Sequence, residues 1–243
     1  MEVLGIDIGG TGIKGAIVNV ATGELVSERH RIPTPLGAKP DDVANEVAQM
    51  VAHFDWKGKV GCGFPTIISS GKARSTGNID ESWLNVQVDK LFEEKTGLEF
   101  SVANDADVAG IAEIKMGAGK DKQGVVILIT IGTGLGSGVF VDGKLVPNVE
   151  LGTVPYKSYD RFEYYAASSA KKREGLSFKV WGKRFNKFLK FVEQTFSPDL
   201  IIIGGGASKK IGKFEKEIKI DVPVVPAKYE NNAGIIGAAL TAV

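Results

Sequence analysis

The sequence predicts an α/β fold of two lobes related by internal duplication. Three observations carry that reading. Short runs of β-branched and apolar residues alternate with stretches of helical period. One strand, glycine turn and strand unit occurs twice, as Ile6-Asp7-Ile8-Gly9-Gly10-Thr11-Gly12 and as Leu128-Ile129-Thr130-Ile131-Gly132-Thr133-Gly134. The length of 243 residues suits one large domain or two small lobes, at roughly 150 residues per domain. The split falls near Ala118–Gly124, giving an N-terminal lobe over 1–117 and a C-terminal lobe over 118–243.

Each element has its own signal. Leu4–Ile8 is an apolar run stopped by glycines, hence a buried strand, and Ile13–Val20 is a second strand. Ala21-Thr22-Gly23 is a turn and Glu24–Ile32 a third strand. Pro33, Pro35 and Pro40 break the chain. Asp41 and Asp42 then precede Val43, Val47, Met50, Val51 and Phe54 at helical spacing, so an amphipathic helix starts there. Val60–Phe64 is a short strand. Trp83–Thr96 is a helical pattern closed by Gly97. Phe100–Ala103 is a strand, and Asp107–Met116 a helix that Asp107 caps. The pattern restarts with strand Val125–Ile131, turn Gly132–Gly136, strand Gly138–Val141 and a hairpin turn at Asp142-Gly143. A polar, basic helical region covers Ala166–Phe196. Leu200–Ile203 is a buried strand into Gly204-Gly205-Gly206. Ala233–Ala242 is a final helix of small residues.

Composition excludes several classes. The chain is 43% hydrophobic and 24% charged, near globular averages, so disorder and collagen are poor readings. Lys and Arg total 30 against 29 Asp and Glu, a net charge of +1, which gives no global reason to expect nucleic acid or an anionic membrane. No helix-turn-helix, zinc finger or RNP motif points to nucleic acid either. Cys62 is the single cysteine, which excludes an intrachain disulfide and suits a reducing cytoplasm. Met1-Glu2-Val3-Leu4-Gly5 lacks the basic and apolar regions of a signal peptide. The longest apolar runs fall far short of the roughly 20 residues of a membrane span.

The glycine turns carry the chemistry. Gly10-Thr11-Gly12-Ile13-Lys14-Gly15 matches G-x-G-x-x-G, but a strand follows it where a dinucleotide fold needs a helix. The turn can still cradle phosphate, because consecutive backbone N–H groups form an anion nest. Thr11 adds a hydroxyl and Lys14 a charge. Asp7 ends the strand at the same edge, where its repulsion of phosphate would be relieved by Mg²⁺. The competing reading is an ordinary tight hairpin. Gly132-Thr133-Gly134 is a second such turn. Gly204-Gly205-Gly206 is either a third backbone approach for phosphate or a flexible turn.

Taken together, Asp7–Lys14, Ile131–Gly136 and Gly204–Gly206 resemble the phosphate and nucleotide segments of the actin-like sugar kinases. Within them the chain is similar to the ROK (repressor, open reading frame, kinase) family, and above all to its bacterial polyphosphate glucokinase branch. The stretches Asn78–Trp83, Val102–Asp107, Val141–Asn148, Ala167–Lys171 and Ser197–Leu200 carry that likeness, which spreads over nearly the whole chain. The resemblance implies an actin-like (ribonuclease H-like) fold with an interlobe cleft. It implies a cytoplasmic, Mg²⁺-dependent homodimer that phosphorylates the 6-hydroxyl of glucose or a related hexose. Polyphosphate would be the donor, with ATP as a second one. Gly9, Gly10, Thr11, Gly12, Lys14, Gly132, Thr133, Gly134 and Gly204, Gly205, Gly206 would hold phosphate or nucleotide, and Asp7 the metal. Two alternatives stand beside it: a phosphate- or sugar-binding regulatory protein on the same fold, and an ATP-dependent kinase of another sugar.

On the acceptor side, Asn104-Asp105 sits between a strand and a helix, where α/β sites usually lie. Asp105 matches the family's catalytic Asp and would be the general base. Asn104 can donate to and accept from sugar hydroxyls, and Asn78 is a further sugar contact. An Asn-Asp pair is also a common helix N-cap. Glu150 matches a sugar-binding Glu of the family's Glu-x-Gly-His motif. The chain departs from that motif at Thr153, in place of the His, and at Pro155, in place of a second Glu. Removing hydroxyl partners is expected to loosen discrimination among sugars.

Finally, Lys171, Lys172 and Arg173 form a basic run. Lys179, Lys183, Arg184, Lys187 and Lys190 follow at helical spacing, with Phe178, Trp181, Phe185, Phe188 and Phe191 mostly on the other face. A solvated amphipathic helix explains this. A stripe of lysines would equally hold linear polyphosphate, for which Lys171, Lys172, Arg173, Lys183 and Arg184 are the candidates.

Overall fold

The computed structural model describes residues 1–77 and 79–243. Asn78 lies outside the described residues, and its expected sugar contact with it. The chain divides into two units, Met1–Ala112 with Asn232–Val243, and Glu113–Asn231.

The first unit grows from the opening hairpin. Strand β1 (Glu2–Gly9) pairs antiparallel with β2 (Gly12–Asn19), Gly9 opposite Gly12, so only Gly10 and Thr11 make the turn. The expected third strand is two short ones, β3 (Glu24–Leu25) and β4 (His30–Ile32), both on β2. The reason lies between them: the Ser27 hydroxyl takes the Ile17 N–H at 2.9 Å, replacing a rung of the ladder with a side chain. Helix α1 (Pro40–His53) begins at a proline with Asp41 and Asp42 in its first turn and buries Val43, Ala44, Val47, Met50 and Val51. Strand β5 (Val60–Phe64) is buried throughout and joins β1 in parallel. A small ribbon of β6 (Ile68–Ser69) and β7 (Lys72–Ala73) follows.

The expected helix over Trp83–Thr96 is shorter. Glu81–Trp83 is one 3₁₀ turn, and α2 (Val88–Thr96) ends on left-handed Gly97 (φ 73°). Strand β8 (Phe100–Asn104) joins β5 in parallel, and α3 (Asp105–Met116) follows with no loop. The sheet order is β3-β2-β1-β5-β8, with β4 also on β2. Its core is one cluster that includes Ile6, Ile13, Val47, Met50, Phe64, Trp83 and Phe92.

The second unit repeats that wiring. Strand β9 (Val125–Ile131) pairs antiparallel with β10 (Leu135–Val141), which carries β11 (Lys144–Val146) through a turn at Asp142 (φ 49°) and Gly143 (φ 76°). The basic region is not continuous. It forms α4 (Glu163–Ala166), α5 (Ser168–Arg173) and α6 (Phe178–Phe196), broken by extended Ala167 (ψ 169°) and by Gly175 (φ 61°). Strand β12 (Leu200–Gly204) joins β9 in parallel, and β13 (Val224–Pro226) joins β12. The order β11-β10-β9-β12-β13 thus mirrors β3-β2-β1-β5-β8, with the same strand senses. This is the duplication expected from the repeated turns. Trp181, Phe185, Phe188, Leu189 and Val192 of α6 are buried in this unit's own core, against Phe214 and others.

The last helix, α7 (Ala233–Thr241), corrects the expected boundary. The sequence predicts a C-terminal lobe over 118–243 that includes it, but the helix belongs to the first unit and packs on β1 and β5. Small residues make this possible. A Cβ on Gly5 would lie 2.1 Å from the Ile235 carbonyl oxygen, one on Gly61 1.7 Å from that of Ala238, and one on Gly237 1.6 Å from that of Val108. Backbone meets backbone at each point, so the helix docks closer than side chains would permit. Among the described residues, no helix is long and apolar enough to cross a membrane.

Candidate active site

The carboxyl ends of β1, β5 and β8 bring the two candidate carboxylates together. Asp7 on β1 lies opposite Gly63 on β5, and Gly63 lies opposite Ala103 on β8. Asp105 begins the helix two residues beyond Ala103. Gly63 lies between them: a Cβ there would stand 3.9 Å from Asp7 Oδ1, 3.6 Å from the Asp105 Cα and 2.8 Å from Val108 Cγ2, so the close approach of α3 to β5 is what needs the glycine. Such strand ends are where open α/β sheets place their ligands.

Asp7 is already charge-compensated. Lys14, its cross-strand partner, donates from Nζ to Oδ2 at 2.9 Å. The first turn of α7 also meets it, since a Cβ on Gly234 would stand 2.8 Å from the Asp7 Cγ. Helix N-termini favour anions. Lys14 thus supplies one positive charge beside Asp7, on Oδ2, and does not take Oδ1, the oxygen at which the expected Mg²⁺ would bind. Next door, burial pushes the Cys62 thiol up, with the Asp7 charge adding to it, so Cys62 stays protonated and unreactive.

Asp105 is half-buried at the start of α3. Asn104 is buried beneath it at 3% exposure. Its Oδ1 accepts from the N–H groups of Ala106 (2.9 Å) and Asp107 (3.1 Å), and its amide donates to the Thr66 carbonyl at 3.2 Å. Asn104, expected to touch sugar, is therefore the N-cap of α3. Asp107, expected to be the cap, is a buried residue of its first turn. Asp105 Oδ1 accepts the Ala106 N–H as well, at 2.8 Å, so Asn104 carries most of the cap and Asp105 shares one bond of it.

At the first glycine turn the carbonyls are tied back. Thr34 Oγ1 donates to the Gly9 oxygen at 2.6 Å, and Arg31 Nη2 to the Thr11 oxygen at 2.5 Å. Neither Arg31 nor Thr34 was singled out in the sequence. The proline-rich break hid them, although strand-like alternation ran into it. Gly10 faces open space, as do Gly132 and Gly206. None of the three has a left-handed φ. A missing side chain there leaves room for a ligand rather than relieving the backbone.

The second turn has one more residue, because Ile131 pairs with Leu135 across Gly132, Thr133 and Gly134. Ser169 of α5 donates to the Thr133 oxygen at 2.5 Å. Buried Glu163 accepts from the Leu135 N–H at 3.2 Å and pairs with Arg161. Both are anchors that the sequence reading missed. Ile129 stands where Asp7 stands in the first copy, so the second turn lacks a carboxylate. The third glycine run is not a mere turn. Gly204 ends β12, and a 3₁₀ helix runs from Gly205 to Lys213.

Glu150 precedes a 3₁₀ turn over Leu151–Thr153. Ser137 clamps this segment, donating to the Val149 oxygen and accepting from the Leu151 N–H at 2.9 Å. The Thr153 hydroxyl donates to the Glu150 carbonyl of its own turn at 2.8 Å. Pro155 is exposed and has no donor to offer. The polyphosphate candidates also divide. Arg173 donates to the Tyr164 carbonyl at 2.7 Å and pairs with Glu174 at 2.9 Å. Arg184 pairs with the same Glu174 at 2.6 Å and lies over the Tyr165 ring. Those two arginines tie helices together. Lys172 and Lys183 are exposed, and the Lys171 ammonium lies 4.4 Å from the Phe178 ring centre.

The described residues hold no cluster of three or more metal-ligating side chains. The ROK family model matches residues 3–150. The chain is 41% identical over 240 residues to a polyphosphate glucokinase of Mycobacterium tuberculosis, covering 98% of this chain and 90% of that one.

The chain belongs to the ROK family.

Among solved ROK-like structures, an inorganic polyphosphate/ATP-glucomannokinase from Arthrobacter sp. strain KM superposes with a TM-score of 0.95 at 44% identity, over 98% of this chain and 97% of that one. A ROK glucokinase from Streptomyces griseus, solved with glucose and AMPPNP, shares the fold at TM-score 0.87 and 23% identity, over 100% and 99% of the two chains. The duplicated sheet is therefore the two-lobed, actin-like architecture of ROK sugar kinases.

Proposed function

We propose that this ROK protein is a sugar kinase that transfers a phosphoryl group from inorganic polyphosphate to glucose or a related hexose, with ATP as a second donor. The observation that carries it is the end-to-end likeness to polyphosphate-using kinases, at 44% identity and TM-score 0.95 for the glucomannokinase. A cytoplasmic homodimer is the form proposed.

In this reading Asp105 is the general base. Its carboxylate takes the proton of the sugar 6-hydroxyl as that oxygen attacks the terminal phosphorus of the donor. The bond from phosphorus to the bridging oxygen breaks, and the donor leaves one phosphate shorter. Thr11 and the N–H groups of the Gly9–Gly12 turn hold donor oxygens, and the Gly132–Gly134 turn is a second phosphate cradle. Glu150 and Asn78 orient sugar hydroxyls. Lys171, Lys172 and Lys183 attract the rest of the polyanion. Mg²⁺ fits this donor set, since it is commonly held by one or two carboxylates plus substrate phosphates rather than by a protein cage. Asp7 would hold it, and it would neutralise donor charge.

Gly10→Ala places a methyl group in open space. It is expected to leave stability within about 0.5 kcal/mol, as surface changes do, and to raise the donor KM several-fold. Thermal denaturation and initial rates check both.

A second reading has one observation in its favour. The Thr153 hydroxyl is bonded to the carbonyl of its own turn and Pro155 cannot hydrogen-bond through its side chain, so the two glucose contacts of the family motif are missing. The chain would then prefer another hexose or bind without turnover. A Mg²⁺-dependent assay crossing polyphosphate and ATP with a panel of hexoses separates these outcomes, with Asp105→Asn as the blank. Glucose turnover above the blank supports the kinase reading. Folded protein that binds polyphosphate but phosphorylates no sugar overturns it. In Thr153→His with Pro155→Glu, a large gain with glucose alone would mark a retuned acceptor site.

A further inference from the structure

We infer that Arg31 is a donor-binding residue that completes the first phosphate turn. The inference rests on the reading that this turn takes the donor, and it adds a side chain from a different strand. Asp7, Lys14 and Arg31 form one cross-strand row, because Asp7 lies opposite Lys14 on β2 and Lys14 lies opposite Arg31 on β4. Opposite residues share a face of the sheet. The row therefore reads acid, base, base.

The Lys14 charge is matched by Asp7 at 2.9 Å. The Arg31 guanidinium has no carboxylate partner among the described residues, and the hydrogen bond it does make goes to a neutral carbonyl, that of Thr11. So the positive charge left over in the row belongs to Arg31.

Its placement is specific. The guanidinium lies on the bare Cα of Gly12: a Cβ there would stand 2.5 Å from Nε, 2.6 Å from Nη2 and 2.7 Å from Cζ. Gly12 thus serves as a seat that holds the fork against the turn. Arg31 is otherwise exposed, and Gly10 beside it opens to free space. A guanidinium presents five N–H donors in a fork that suits two phosphate oxygens at once. A polyanion settling on the Gly10 and Thr11 N–H groups would find this charge at the rim of the turn. A residue serving only as a clip would need the one bond to Thr11, and no unmatched charge.

The test is donor kinetics on Arg31→Ala and Arg31→Lys, with polyphosphate as the probe, together with the rise in thermal midpoint that polyphosphate produces without sugar. Arg31→Ala is expected to raise the donor KM about tenfold to a hundredfold, the scale of one lost charge-assisted contact. The sugar KM should stay within about twofold, and the polyphosphate-induced rise should disappear. Arg31→Lys keeps the charge without the fork, so it should recover part of both. A lowered midpoint with unchanged donor KM and unchanged polyphosphate response would overturn the proposal and leave Arg31 a clip. Gly10→Ala separates this from failure of the underlying reading. If Gly10→Ala raises the donor KM and Arg31→Ala does not, the Arg31 assignment alone falls. If neither does, the turn is not the donor site and both fall.

Discussion

Asp105→Asn is expected to fold normally, to keep its donor KM within a few-fold, and to lose roughly 10²–10⁴ in kcat, the usual contribution of a positioned general base. The geometry separates chemistry from scaffold here. Asn104 accepts both the Ala106 and the Asp107 N–H groups that start α3, and Asp105 Oδ1 shares only the Ala106 one at 2.8 Å, a bond that an asparagine oxygen can also accept. Asparagine matches aspartate in size, so the helix start and the packing around Gly63 should persist. Single-turnover rates with saturating sugar and donor, together with the thermal midpoint, check this. A variant with more than a tenth of the parent rate would remove Asp105 as the base. A variant that also loses its fold would show that Asp105 supports α3 more than the cap geometry implies.

The largest effect on stability is expected at a position far from that chemistry. Gly61→Ala would put a methyl carbon 1.7 Å from the Ala238 carbonyl oxygen. No rotamer change relieves such a contact, because the obstacle is helix backbone. Either α7 moves off β5 or β5 leaves its place between β1 and β8. Overpacking of this kind costs about 1–3 kcal/mol and at times more, and a backbone clash belongs at the upper end. Chemical denaturation should show it as a lowered midpoint, with Gly10→Ala, where the added methyl meets nothing, as the matched control. Equal stability of the two variants would mean that α7 does not dock on β5 as described.

These two positions illustrate which parts of the molecule the sequence made legible. Val60–Phe64 and Val125–Ile131 form strands with the very bounds their apolar runs suggested, because a buried parallel strand is written locally as an unbroken apolar stretch. The repeated glycine turn was legible for the same reason, and the two mirrored sheets followed from it. The Asp105 candidate could be read off because strand, polar pair and helix adjoin in the chain. Arg31 could not. Its meaning comes from the pairing of β4 with β2, a non-local register that no window of sequence contains. Ser169 on the Thr133 carbonyl is a similar case. Asn104 was half legible: the cap motif was recognised, yet only the hydrogen bonds say which residue of the pair carries most of it. The home of α7 was hidden because glycine against a carbonyl leaves no periodic signal.

The docking of α7 also bears on how the protein is made. β1 and β5 leave the ribosome early, but the helix that covers them follows the whole second unit in the chain. At about 5–20 residues per second, the stretch between Ala112 and Ala233 takes on the order of ten seconds to synthesise. During that interval the glycine-lined face of the nascent sheet stands uncovered, while Glu113–Asn231 emerges with a core of its own. The first unit to be translated is thus the last to be finished. Its half of the proposed chemistry, at Asp7 and Asp105, is assembled only when the end of the chain returns to it.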